Sequence, residues 1–111
     1  MTTAPLSTHV LDLERGEPAR GVSVRLERGD AGDWRAVAEG RTDGDGRLRE
    51  WVDDAAWSAG DYRLVFAAEP YLGPPAFFPE IVIGFRVVDP GQHHHVPLLL
   101  NRHGYTTYRG S

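Results

Sequence analysis

The sequence predicts an all-β sandwich or barrel, and three features lead to that class. Turn-forming residues recur at short intervals, from Gly16, Pro18 and Gly21 through Gly44 and Gly46 to Pro90, Gly91 and Gly104. They cut the chain into pieces of strand length, and those pieces are rich in β-branched and aromatic residues. Several of the pieces also alternate apolar and polar residues with the period of a half-buried strand.

Taken in order, Leu6 to Leu11 opens the series. Val22 to Arg28 alternates cleanly, with Val22, Val24 and Leu26 on one face and Ser23, Arg25 and Glu27 on the other. Trp34 to Arg41, Leu48 to Val52 and Tyr62 to Phe66 follow. Ile81 to Val88 is apolar on both faces for several residues, which suits a central strand or one covered by a partner subunit. His94 to Leu100 contains Pro97, which cannot donate to a ladder and belongs at a bulge or an unpaired edge position. Tyr105 to Arg109 is the last strand. These make about eight strands, enough for two four-stranded sheets. Asp43-Gly44-Asp45-Gly46 reads as a tight turn between strands, and a short helix fits either Asp53 to Ser58 or Glu69 to Leu72.

Composition bounds the function. A length of 111 residues suits a single domain, 1–111, with one core. Hydrophobic residues make up 41% and charged residues 25%, which argues against disorder. The chain has no cysteine, so disulfides, thiolate catalysis and cysteine-bound metal are excluded, and a reducing compartment fits. Twelve basic against sixteen acidic residues give a net charge of −4, so neither nucleic acid nor an anionic membrane is an expected partner. No run approaches the ~20 apolar residues of a membrane span. Met1 to Pro5 lacks the basic start and apolar stretch of a secretory signal, and a cytoplasmic location is expected.

The residues that carry chemistry are scattered. Ser7-Thr8-His9 sits in the first strand, where alternation puts Ser7 and His9 on one face. A lone histidine there is more often structural than catalytic; if buried, its ring needs partners that Ser7 or Thr8 can supply. In His93-His94-His95, the first and third side chains share a face if the segment is a strand. That spacing suits either zinc, with a further ligand such as His9, or proton transfer near neutral pH. The residues leave the choice open, beside the plainer reading of a solvated turn. Arg47 follows the acidic turn, either as a surface cation closing a hairpin or as a guanidinium for an oxygen-rich planar ligand. A calcium loop is a poor reading of that turn, because it lacks flanking helices and Asp54 stands where a glutamate closes such loops. Tyr105 to Ser111 is strand-like to the end of the sequence, which suggests a docked rather than fraying terminus. Trp34, Trp51 and Trp57 read as core or interface residues.

Set side by side, these segments resemble one family. Leu6-Ser7-Thr8-His9-Val10-Leu11-Asp12 with Gly16, Pro18 and Gly21-Val22 is similar to the opening of the transthyretin-related 5-hydroxyisourate hydrolases, and Asp45-Gly46-Arg47 to their arginine turn. Phe77-Phe78-Pro79-Glu80-Ile81, Asp89-Pro90 and His93 to Leu100 resemble the segment with their second histidine. Tyr108-Arg109-Gly110-Ser111 matches their closing tetrapeptide. The resemblance runs nearly end to end with its parts in order.

It implies a transthyretin-like (prealbumin-like) sandwich of two four-stranded sheets, with one short helix after the Tyr62 to Ala67 strand. It implies a homotetramer, a dimer of dimers, with active sites in the channel between dimers. The implied activity opens the ring of 5-hydroxyisourate to 2-oxo-4-hydroxy-4-carboxy-5-ureidoimidazoline in urate degradation, without metal or organic cofactor. Carried over by position, His9, Arg47, His95 and Ser111 are the catalytic residues, and Tyr108, Arg109 and Gly110 join them in binding substrate. Departures from the family pattern are His94 for a common tyrosine, Asn101-Arg102 for Ser-Pro, and Thr106 for a frequent serine. Asn101 and Arg102 bear on the channel mouth or on loop rigidity. Which histidine is acid and which is base stays open. Two other functions fit the same residues: a carrier binding an aromatic ligand in the central channel, and a zinc hydrolase built on His93 and His95.

Overall fold

The computed structural model describes residues 5–111, so most of the Met1 to Pro5 segment weighed above as a possible leader lies outside the described residues. Among the described residues, nine strands form two sheets: β1 (Leu6–Asp12), β2 (Glu17–Pro18), β3 (Ser23–Asp30), β4 (Asp33–Arg41), β5 (Arg47–Leu48), β6 (Gly60–Ala67), β7 (Glu80–Val87), β8 (His94–Asn101) and β9 (Gly104–Thr107). A helix, α1 (Ala68–Leu72), follows β6, and a 3-10 turn covers Asp54–Ala56. Both helix candidates in the sequence are therefore occupied, and the one after β6 is the α-helix.

One sheet runs β4-β3-β6-β7, antiparallel throughout. The other runs β2-β1-β8-β9, with the two-residue β5 also paired to β1. The expected sandwich is present, and the second sheet gains a fifth member because β2 and β5 share one edge of β1. The turn at Asp43 to Gly46 does not close a hairpin. β5 pairs with β1, so the turn carries the chain from the edge of one sheet to the other. Of the expected Leu48 to Val52 strand only Leu48 is paired, in the two-residue β5 that begins at Arg47.

The core lies between the sheets. Leu6, Val10, Leu98 and Leu100 face Leu26, Tyr62, Leu64, Phe66 and Ile81, all at most 1% exposed. Removing this much apolar surface from water is the main term holding the sheets together. Thr8 interrupts the apolar row of β1 and is fully buried, but its hydroxyl donates to the Val96 carbonyl at 2.7 Å. His94, at the start of β8, is buried edge-on against Trp57, 5.5 Å between ring centres, with Nδ1 at 2.8 Å from the Gln92 carbonyl. Trp57 belongs to the core, Trp51 packs on its margin, and Trp34 is an exposed ring covered by the Arg63 guanidinium.

Ile81 to Val88 is not a central strand: as β7 it is the edge of its sheet, with Ile81, Ile83 and Val87 turned inward and Val82 exposed. Pro97 sits where the sequence requires it. The β8–β9 pairing lapses between Leu98↔Thr107 and His95↔Gly110, and Pro97 lies in that gap. Its free carbonyl accepts from the Thr107 hydroxyl at 2.8 Å.

Candidate active site

The site is made by one pairing that no local pattern encodes. β1 and β8 lie side by side in parallel, with Ser7 opposite His95 and His9 opposite Pro97. On the other edge of β1, His9 pairs with Arg47. Strand alternation then sends Leu6, Thr8 and Val10 into the core and leaves Ser7, His9 and His95 on the outer face of the sheet.

Each side chain is held by its neighbours. The carboxylate of Asp43 accepts from the backbone N–H of Asp45 and Arg47 at 2.9 and 3.0 Å, and these two bonds fix the turn that delivers Arg47. They also hold the Asp43 carboxyl below its usual pKa, with the Arg47 N–H as the larger cause. Gly46 has a φ of +76° and its carbonyl accepts from Val10 N–H at 2.7 Å, so the turn is stapled to β1. His9 Nε2 lies 3.0 Å from the Asp45 carbonyl. Neither Ser7 nor Thr8 serves as its partner: Thr8 is tied to Val96, and Ser7 Oγ lies 2.9 Å from His93 Nε2 and 2.7 Å from His95 Nδ1.

A recess of about 300 Å³ opens on this face, lined by Ser7, Arg47, Arg49, Glu50, His93, His95 and Ser111. His9 is not among its lining residues; it pairs with Arg47 on the neighbouring strand. The end of the chain is docked: Gly110 N–H donates to the His95 carbonyl at 2.8 Å, which brings Ser111 to the recess. Tyr108 and Arg109 point to a neighbouring cavity of about 250 Å³ shared with Phe85, Arg86 and His95, and Arg109 Nη2 donates to Gln92 Oε1 at 3.3 Å. His95 therefore lies between the two cavities. Larger hollows lie elsewhere, one on the outer face of the β4-β3-β6-β7 sheet and one beside the 3-10 turn, but neither contains a histidine.

Burial lowers the pKa of His95 below the usual 6.5, and the positive charges of Arg47, His93 and His9 add to the effect, against a smaller opposing hydrogen bond with the Ser7 backbone. A neutral imidazole next to a guanidinium is an arrangement for taking a proton from water while a cation faces developing negative charge. Among the described residues, no group of three histidine, aspartate or glutamate side chains is placed to hold a metal ion. The zinc reading thus lacks its third ligand among these residues. Arg49 and Glu50 are the lining residues that the sequence did not single out, and Ser7 entered there only as a possible partner for His9. Arg49 repeats the face of Arg47 at a spacing of two, the one local signal that could have found it.

A transthyretin-like sandwich with two histidines and an arginine gathered on the outer face of one sheet defines the class. The model of the HIUase/Transthyretin family matches residues 6–110. The chain is 44% identical over 113 residues to a 5-hydroxyisourate hydrolase of Caulobacter vibrioides, covering 96% of this chain and 97% of that one. The solved structure of Klebsiella pneumoniae 5-hydroxyisourate hydrolase superposes with a TM-score of 0.83 at 34% identity, covering all of both chains. Transthyretin from Sparus aurata superposes with a TM-score of 0.90 at 28% identity, covering 96% and 97% of the two chains. The chain belongs to the HIUase/Transthyretin family.

Proposed function

We propose that this protein is a 5-hydroxyisourate hydrolase, acting in urate degradation on a substrate held at the His9–Arg47–His95 face. The observation that carries the reading is the recess itself, where a half-buried imidazole of lowered pKa, a guanidinium and the docked Ser111 converge. The similarity to hydrolases of that name supports it.

The product's new carboxyl and ureido groups place the bond broken between a ring carbonyl and nitrogen. Water must be made nucleophilic, the carbonyl oxygen's growing charge must be met, and the departing nitrogen must gain a proton. Neutral His95 takes the proton of water. Arg47 faces the oxyanion and orients the substrate's oxygens through paired N–H donors. His9, held at Asp45, gives a proton to the leaving nitrogen, and Ser111 positions substrate. Tyr108, Arg109 and Gly110 complete the wall on the far side of His95. No step in this sequence needs a metal or an organic cofactor.

A homotetramer, a dimer of dimers located in the cytoplasm, is the assembly proposed with this activity. The apolar outward side chains of the β7 edge and the open outer face of the site-bearing sheet support it, and light scattering on the purified chain measures it. Among the described residues, no helix is long and apolar enough to cross a membrane.

The decisive experiment follows the ultraviolet absorbance of freshly generated 5-hydroxyisourate against its spontaneous decay. Acceleration by the wild-type chain, and its loss in folded His9→Asn, Arg47→Gln and His95→Asn variants, is the expected result. No acceleration, together with tight binding of an aromatic ligand, would move the protein to the carrier reading.

A further inference from the structure

Ser7 stands at the centre of a chain of hydrogen bonds that the mechanism above does not use. Its Oγ is within bonding distance of two imidazoles, 2.9 Å from His93 Nε2 and 2.7 Å from His95 Nδ1. The residue is only 8% exposed, and the parallel β1–β8 register holds it opposite His95. A hydroxyl has one proton to give and lone pairs to receive with. Placed between two ring nitrogens, it donates to one and accepts from the other. When His95 is charged the order is fixed, because an imidazolium donates from both nitrogens. His95 Nδ1–H then donates to Ser7 Oγ, and the Ser7 proton turns to His93 Nε2.

We infer that Ser7 is a positioning residue that keeps His95 Nε2 available to the reacting water and connects His95 Nδ1 to His93 as an exit for the proton. This rests on the hydrolase reading and extends it. After His95 has taken a proton at Nε2, its Nδ1–H bond breaks as a new bond forms to Ser7 Oγ. The original Oγ–H bond breaks as one forms to His93 Nε2. Two protons shift, Ser7 is neutral before and after, and one positive charge moves from His95 to His93.

The surroundings set the direction. His95 is half-buried and His93 exposed, so moving the charge to His93 returns it to water. Arg47 on β5, His9 on β1 and His93 itself already disfavour charge on His95, in addition to its burial. Beyond Arg47 the recess adds Arg49 and Glu50, and the cavity on the other side of His95 adds Arg86 from β7 and Arg109. Among the described residues lining the two cavities, Glu50 is the one carboxylate side chain against these cations.

The test is nitrogen-15 NMR of the histidine rings across pH in the wild-type chain, Ser7→Ala and Ser7→Thr, each also assayed for hydrolysis. In the wild type, neutral His95 carries its proton on Nδ1, and the His93 ring signals move as His95 takes up charge, through the shared Ser7 hydroxyl. Ser7→Ala loses the Nδ1–H form, and the His93 signals no longer follow His95. Its kcat falls about tenfold with KM changed by less than about twofold, as for a lost orienting contact. Ser7→Thr, which keeps the hydroxyl, restores the coupling and most of the rate. A folded Ser7→Ala protein with an unchanged His95 tautomer and His93 signals that still follow His95 overturns the inference, whatever its activity. Intact coupling in a wild-type chain that does not hydrolyse 5-hydroxyisourate instead supports the relay and overturns the hydrolase reading.

Discussion

Gly110 lies flat against the imidazole of His95, so close that a β-carbon added at Gly110 would overlap His95 Cδ2. The same glycine donates its N–H to the His95 carbonyl at 2.8 Å. The requirement for glycine here is one of space, since its φ is not in the left-handed region. Gly110→Ala should therefore push the ring off Ser7 Oγ or undock the terminus. The expected outcome is a loss of kcat/KM of about tenfold or more, the usual scale for a misplaced catalytic group. Thermal stability should change little, because Gly110 is part-exposed and outside the core. Full activity in Gly110→Ala would show that the ring's position is not set by this contact.

The lowered pKa of His95 makes a signed prediction about pH. The base is the neutral ring, so kcat/KM should fall as pH drops through a value below 6.5. Arg47 is the largest of the neighbouring charges that depress it, after burial. In Arg47→Gln, the residual activity should lose its acid limb at higher pH than in the wild type. Stability follows the same linkage. Between the folded pKa and the unfolded 6.5 the unfolded chain binds more protons, so stability from this group rises with pH through that window. A pH–rate profile of the two proteins, with unfolding midpoints at each pH, measures both.

The strands were legible because alternation writes itself locally. Val22, Val24 and Leu26 announce an inward face whatever lies opposite, and Pro97 announces a gap in a ladder. The β1–β8 pairing was not legible, because a parallel contact between positions 6–12 and 94–100 leaves no trace in either segment. For that reason the sequence offers Ser7 or Thr8 as a local partner for His9, whereas Ser7 partners His93 and His95 and Thr8 partners Val96. The turn at Asp43 misled for a related reason. Its residues specify a reversal of direction, while the sheet that receives β5 is chosen by long-range packing. His94 was recognised only as a departure from its relatives; its packing on Trp57 required the core to be assembled.

Tyr71 anchors α1 to the end of β1 by donating its hydroxyl to Asp12 Oδ2 at 2.7 Å. Asp12 is only 2% exposed, and its Oδ1 accepts from the N–H groups of Glu14 and Arg15. Burial, then the hydrogen bond to Asp12, raises the Tyr71 hydroxyl to about 12. Spectrophotometric titration should show a tyrosine ionising near that value and its absence in Tyr71→Phe. Because the folded pKa is raised, the stabilisation is complete below the unfolded value of about 10 and is lost as pH rises toward 12. At neutral pH, Tyr71→Phe should cost about 1–2 kcal/mol, the scale for leaving a buried carboxylate oxygen short of a donor.

Arg102 has a definite task in the structure, bracing the end of α1 and the loop that follows it. Its guanidinium donates to the carbonyl of Leu72, the last residue of α1, at 2.7 Å and to those of Gly73 and Pro75 in the following loop at 2.8 and 3.2 Å. These are carbonyls at and beyond the helix C-terminus, where unsatisfied acceptors and the helix dipole both favour a cation. The backbone N–H of Arg102 is also engaged, donating to Glu14 Oε1, while the Arg102 carbonyl accepts from Phe77 N–H at 3.3 Å. Rigidity of the α1–β7 loop is therefore supplied by a side chain from the β8–β9 turn. Arg102→Ala should lower stability by about 1–2 kcal/mol, since the bonds are charge-assisted but part-exposed. The melting midpoint should fall by several degrees, ~4–8 °C per kcal/mol for a chain of this size. Because the guanidinium reaches none of the residues lining the recess, kcat and KM below the melting range should be unchanged. A variant that melts normally but loses activity would place Arg102 at the channel mouth instead of in the loop.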